Sequence, residues 1–225
     1  INMPVLKGHC QTKMTCALKN LKGCIPDSEK RRFHTMGLHK PIAYLNKVLR
    51  TDLIIVDGLI GDLNFEEGGN PVQMDRIILG FDPVLVDSYV ANLMGYDENE
   101  IPYIKIAEGI GVGRCISSKE QVNELNENNN TKKIPYSREI EKLSKYVNEK
   151  DACSACYGSL IHALARLDEK GVLRKLKTKV FIGQGYKGEK GEGIGVGNCT
   201  RGFTQNVPGC PPTAKDILEV LEKNL

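Results

Sequence analysis

Four of the eight cysteines in this 225-residue chain fall in its last third. D-A-C-S-A-C-Y carries Cys153 and Cys156, G-V-G-N-C carries Cys199, and P-G-C-P-P carries Cys210. A C-x2-C pair by itself suits a zinc clip, a redox dithiol or an iron–sulfur site. Each of the four has a setting that suits a cluster ligand. Cys153 and Cys156 open a helix, where free amide N–H groups favour thiolate. Cys199 follows glycines that let backbone pass close to a bulky inorganic core. Cys210 is held between Pro-Gly and Pro-Pro, and proline directly after a ligand cysteine is a feature of ferredoxin runs. A structural zinc is the alternative, although zinc clips usually close on two tight pairs rather than one pair and a C-x10-C. A thioredoxin-like dithiol should follow a strand and would leave Cys199 and Cys210 without a role.

A second constellation lies near the start, in K-G-H-C-Q-T-K-M-T-C-A-L-K-N. Lys7 and His9 are two apart and leave a strand end on one side. Thr12, Lys13 and Thr15 stand where a helix could begin, with Lys19 and Asn20 a turn later. Strand end, hydroxyls, lysines and a helix N-terminus make a candidate anion site. The plain alternative is a solvated amphipathic helix. Cys10, Cys16, Cys24 and Cys115 could hold a second metal, but a helix that turns Cys16 inward as a small apolar residue explains the spacing more simply.

The elements that must position these groups alternate between short apolar strands and helices. Predicted strands are Pro4–Lys7, Asp52–Val56 and Arg76–Leu79, the last two short and apolar like buried parallel strands. Helices are expected over Lys40–Arg50, from Pro83 to a stop at Gly95, over Ser137–Lys150, from Tyr157 to Leu167, and over Ala214–Asn224. K-V-F-I-G-Q reads as a strand, and the run that follows it as a glycine-rich loop. Ser117 with Glu120 caps a short helix before an asparagine-rich polar stretch. The expected class is α/β, a mixed or parallel sheet flanked by helices with a smaller C-terminal α/β cluster-binding part. The expected division is 1–116, a polar linker or excursion over 117–136, and a cysteine-rich region over 137–225.

Composition bounds the function. A net charge of +3, no tryptophan and 6% aromatic residues argue against nucleic acid. The basic run E-K-R-R-F-H reads as a solvated face. No apolar run reaches bilayer length, and no secretory signal is visible, which favours a cytoplasmic protein with metal or redox thiols over a disulfide framework. A start at Ile1 running at once into a strand suggests that upstream sequence is missing.

Two resemblances sharpen these readings. The pieces D-A-C-S-A-C-Y-G-S-L, G-V-G-N-C and V-P-G-C-P-P-T resemble the proximal 4Fe–4S motif of nickel–iron hydrogenase small subunits and the related complex I subunit. That resemblance covers residues 151–225 and implies Cys153, Cys156, Cys199 and Cys210 as ligands. It departs in a shorter gap between Cys156 and Cys199 and in a helix, rather than a strand, before the first cysteine. Hydrogen chemistry is therefore not carried over.

Residues 2–113 resemble domain-of-unknown-function family 362 through K-G-H, T-K-M-T-C-A-L-K-N, I-V-D-G, E-E-G-G-N-P-V and F-D-P-V-L-V-D. Members often carry ferredoxin-type cysteines, and the family's N-terminal strand–helix portion is absent here. The resemblance implies a pocket of Lys7, His9, Thr12, Thr15, Lys19, Asn20, Asp57, Glu67, Asp82 and Asp87. By residue type, Lys7 and Lys19 would bind a carboxylate or phosphate, and His9 or His34 would move a proton near neutral pH. Asp57 would end a buried strand, where ligands gather in open α/β sheets. Lys7, His9, Lys19 and Asp57 are the catalytic candidates. Asp82 and Asp87 read equally well as helix caps. The combined expectation is a 4Fe–4S protein of an anaerobe or facultative anaerobe, an electron-transfer or oxidoreductase component. Its partners would be a small anionic molecule or a redox protein. A non-redox enzyme or binding module with a structural metal, zinc included, is the alternative.

Overall fold

The structure, a computed structural model, describes residues 1–66, 70–118, 122–125 and 138–225. It divides into two compact units, Ile1–Ser137 and Arg138–Leu225.

In the first unit, β1 (Lys7–His9) and β2 (Lys13–Thr15) form a small antiparallel hairpin. Lys13, the first residue of β2 and the partner of His9, leaves the turn with φ +65°. The helix expected from Thr12 therefore starts only at α1 (Ala17–Asn20). The chain continues through α2 (Asp27–Thr35), α3 (His39–Val48), β3 (Ile54–Asp62), β4 (Pro71–Gly80), α4 (Pro83–Leu93) and α5 (Pro102–Gly109).

The strands expected at 52–56 and 76–79 do exist, but they are not buried parallel strands. β3 and β4 pair antiparallel, with Ile55 opposite Leu79 and Asp57 opposite Ile77. Ile54, Val56 and Met74 face inward, while Ile77 and Leu79 are exposed. A continuous apolar run predicts burial on both faces; here one face packs and the other meets solvent. The segment expected as a strand over 4–7 instead runs parallel to β3 through two isolated bridges, Asn2 with Ile54 and Val5 with Asp57. The core lies between the inward face of this hairpin and α1, α3, α4 and α5. Its largest fully buried side chains include Leu6, Met14, Leu18, Ile42, Tyr103 and Ile104. Each such aliphatic chain contributes roughly 1.5–3 kcal/mol. Asp82 caps α4 by accepting from Val84 N and Leu85 N, with Pro83 in the first turn, and Gly95 closes that end at φ +79°.

In the second unit, four parallel strands lie in the order β5 (Val147–Glu149), β6 (Val180–Ile182), β7 (Gly191–Val196), β8 (Phe203–Val207). The helix expected over 137–150 is short, α6 (Glu139–Leu143), and gives way to β5. A strand thus does precede Cys153. The run expected as a glycine-rich loop contains β7, whose glycines make room for rings. A Cβ at Gly191 would sit 2.9 Å from the Phe203 ring, and one at Gly193 would sit 2.9 Å from that of Phe181. α7 (Ser154–Glu169) and α8 (Ala214–Glu222) pack on each other, burying Leu160, Ile161, Leu164, Ile217 and Leu221. Thr213 caps α8 through Asp216 N. Ser117 and Ser118 are not helical; Glu120 and most of the polar stretch lie outside the described residues.

Candidate functional site

The turn Cys10–Thr12 fixes the tautomer of His9. Its Nδ1 accepts from Gln11 N (3.0 Å) and Thr12 N (3.2 Å), so the ring proton is carried on Nε2. Thr12 spends its hydroxyl on Met14 O. Beyond β2 the chain turns at Cys16 into α1, which returns Lys19 Nζ to Thr15 Oγ1 at 3.1 Å.

From the other side comes the loop after β3. Asp62 folds it by accepting from Asn64 N, Phe65 N and Asn70 N, all at 2.8 Å. This aims Glu66 at the hairpin. Its carbonyl accepts from Lys7 Nζ (3.1 Å); its carboxylate lies 2.9 Å from His9 Nε2, 3.5 Å from Lys19 Nζ and 3.8 Å from Lys7 Nζ. The His9 contact is close but off the line of a good hydrogen bond, so Nε2 is left among the buried polar atoms with no satisfactory partner. Gly8 permits the approach, since a Cβ there would fall 2.2 Å from Leu63 O. At the rim Lys22 Nζ stands 2.8 Å from His34 Nε2.

Burial and the neighbouring Lys19 lower the His9 pKa to about 4. Burial and Lys22 lower that of His34 to about 3. Both imidazoles are neutral at pH 7, so neither is the proton carrier near neutrality that their type suggests. Lys19 takes that place: burial, only partly offset by Glu66, brings it to about 7. For Glu66, burial acts to raise the pKa but is outweighed by His9, Lys19 and Lys7, which hold the carboxyl ionised well below its usual range. The result is a part-buried cluster of three lysines, two neutral imidazoles and one carboxylate.

Of the residues expected here, Lys7, His9, Thr15 and Lys19 converge, and Thr12 shapes the turn. Asn20 does not face the pocket; its amide donates to Asn2 Oδ1. Asp57 is exposed and accepts from Leu59 N, so it is not a ligand residue at a buried strand end. Asp82 is a cap that also accepts from Arg114 N. Asp87 is fully buried beside α1 and accepts from Leu18 N (3.2 Å), a structural carboxyl whose burial raises its pKa to about 7. Glu67 lies outside the described residues. E-E-G-G marks the turn but not which acid enters the cluster, and Lys22 joins it from the 3-10 turn Leu21–Cys24 through a fold contact with His34 that spacing does not encode.

In the second unit, three segments bring the four cysteines to one edge. All four strands are parallel, so their carboxyl ends share a side, where ligands bind in open α/β sheets. Cys153 follows the end of β5, Cys199 that of β7, and Cys210 that of β8. Cys156 lies in the first turn of α7. Burial and then Cys153, Cys210 and Cys199 push its thiol up to about 12, so the other three lie within electrostatic reach of the fourth.

Gly197, at φ +88°, leaves open the space beside that thiol; a Cβ there would come 3.9 Å from Cys156 Sγ. The loops carrying Cys199 and Cys210 are tied together. Asn198 N donates to Gly209 O (2.9 Å), and Gly209 N donates to Asn198 Oδ1 (3.0 Å). Asn206 braces the same turn through Gly197 O (3.1 Å) and Thr200 Oγ1 (3.0 Å). Among the described residues, which include all eight cysteines, no disulfide forms and no group of three or more His, Cys, Asp or Glu is arranged to hold a metal ion. Cys16 is in the core, Cys24 is exposed, and Cys115 lies by Glu108 and Lys105.

Residues 1–92 match the family described as Domain of unknown function (DUF362). That match holds the whole hairpin, Lys19, Lys22, His34 and Glu66, and ends before the four cysteines of the second unit. Over 119 residues the chain is 28% identical to the thylakoid-associated protein sll1697 of Synechocystis sp. (strain ATCC 27184 / PCC 6803 / Kazusa), an alignment covering 50% of this chain. The chain spans 37% of the length of that relative. No solved structure matches. No helix among the described residues is long and apolar enough to cross a membrane.

Proposed function

We propose that the second unit holds a 4Fe–4S cluster on Cys153, Cys156, Cys199 and Cys210, and that the first unit binds a small anionic molecule. The reading is that of an electron-transfer protein or oxidoreductase component. The observation that carries it is the gathering of four cysteines, from three chain segments, at the carboxyl edge of one parallel sheet. Gly197 keeps the space beside Cys156 free of side chain, and Asn198 and Asn206 fix two of the ligand loops. When bound, such a cluster supplies one-electron chemistry. A single zinc would need all four sulfurs drawn to roughly 3.8 Å of one another, given a Zn–S bond of about 2.3 Å. A four-iron core, with each thiolate on a different iron, asks for less convergence of the sulfurs, and a structural zinc on the same thiolates is the alternative reading.

Cys210→Ser in anaerobically reconstituted protein tests the ligand set. Loss of the broad visible absorption with the fold intact supports it; an unchanged spectrum removes Cys210 from the set, and a colourless zinc protein ends the redox reading. A cytoplasmic location and a redox partner protein belong to the same proposal. The cyanobacterial relative is named for its association with thylakoids, and cell fractionation would separate the two locations.

A further inference from the structure

We propose that Glu66 is a displaceable internal stand-in for the carboxylate of a small organic acid, and that this acid binds by taking Glu66's place against His9, Lys19 and Lys7. The inference rests on the anion-binding reading of the first unit and specifies its ligand and its competitor.

The carboxylate of Glu66 divides its oxygens between two sets of donors. Oε2 faces His9 Nε2 at 2.9 Å, while Oε1 faces Lys19 Nζ at 3.5 Å and Lys7 Nζ at 3.8 Å. A planar two-oxygen group is therefore the shape these donors already accommodate. The two ammonium contacts are long for hydrogen bonds, and the His9 contact, though short, leaves Nε2 without a partner of good geometry. Lys19 is 4% exposed, and its short hydrogen bond goes to Thr15 Oγ1 at 3.1 Å. An ammonium has three donors, so Lys19 keeps capacity for an acceptor that comes closer than the Glu66 carboxylate does at 3.5 Å. His9 Nε2 is likewise buried without a well-aligned partner. Buried donors of this kind are costly unless something else meets them.

Glu66 and a ligand cannot share the site. Nδ1 of His9 is committed as an acceptor to two backbone amides, so the ring offers one proton, on Nε2, to one acceptor. An incoming carboxylate that uses His9 must expel Glu66, and two carboxylates side by side would repel. Displacement is feasible because Glu66 is one-third exposed and so has solvent to move into. Its carbonyl keeps the Lys7 bond, which leaves the loop anchored. The pocket then exchanges one carboxylate for another with Lys7, Lys19 and Lys22 still balancing the charge.

The test is calorimetric titration of the full chain with oxalate, and with inorganic phosphate for comparison, in wild type, Glu66→Gln, Glu66→Ala and the double variant Glu66→Gln/Lys19→Met. Removing the competing charge should tighten oxalate at least tenfold in Glu66→Gln, with Glu66→Ala confirming it should the glutamine retain contacts, and the double variant should lose the gain. Wild type that binds oxalate as tightly as both Glu66 variants overturns the displacement while leaving the anion pocket standing. Phosphate tightened in place of oxalate overturns the carboxylate assignment. No binding of either anion by any folded variant overturns the pocket itself, and with it this inference.

Discussion

His9 Nε2 lies 2.9 Å from Glu66 Oε2, and that contact closes the β1–β2 hairpin against the loop after β3. The imidazole is fully buried and the carboxylate half-buried, so the pair holds a neutral ring against an ionised acid. Gly8, one residue before His9, is what lets the two segments meet.

Gly8→Ala should separate them. Its Cβ would fall 2.2 Å from Leu63 O, a backbone atom that cannot swing away. A loss of about 2 kcal/mol or more is expected from overpacking of this kind. In protein that still folds, NMR titration should find the His9 pKa risen from about 4 toward its ordinary 6.5 as burial is lost.

Lys19 gives stability a pH dependence with a definite sign. Its pKa falls from 10.5 unfolded to about 7 folded. Between those values the unfolded chain binds the extra proton, so this group makes the protein more stable as pH rises from 7 toward 10. Lys19→Met should flatten that part of a denaturation–pH profile and raise stability near pH 7 by on the order of 1–3 kcal/mol, while abolishing anion binding. The same titration should weaken anion binding to wild type above pH 7. His9 and His34 stay neutral throughout that range.

Asp87 acts in the opposite direction. Burial raises it from 3.8 to about 7, so the folded state holds the extra proton between those values and stability falls as pH rises through that window. Asp87→Asn should remove this slope, and chemical denaturation at pH 5 and pH 8 checks it. A variant that keeps the full slope would mean that the carboxyl is not the group responsible.

In the second unit α7, β6 and α8 were legible because their signals are local, whereas β5 fell inside an expected helix and β8 was not expected. Cys153 opens a helix, Thr213 caps one, and C-x2-C, G-N-C and P-G-C-P-P each mark a strand end or a turn. β7 was not legible, since glycine disfavours strands and only the rings of Phe181 and Phe203 explain why Gly191 and Gly193 stand there. In the first unit, pairing partners set the outcome. Val56 and Ile78 read as parallel because apolar runs do not report which faces are covered. Thr12–Thr15 read as a helix start because nothing local announces that Lys13 adopts φ +65°. Glu66 reaches the pocket only through the Asp62 turn, a tertiary fact that spacing does not encode.

Asn198 offers a test of the ligand loops that leaves every cysteine in place. Asn198→Ala removes the acceptor of Gly209 N and leaves the Cys210 turn tied to the Cys199 turn by the Asn198 N to Gly209 O bond alone. Residues that orient metal ligands typically cost 10–100-fold in affinity when removed. Iron transfer to a chelator should therefore be at least tenfold faster than in wild type, with circular dichroism unchanged. Equal rates would assign Asn198 to folding alone.

Iron and acid-labile sulfide analysis of anaerobically purified protein tests the four-cysteine site most directly. Four iron and four sulfide per chain, lost together on Cys210→Ser, is the result predicted. Stoichiometric zinc without sulfide, or no metal under strictly anaerobic reconstitution, would contradict it.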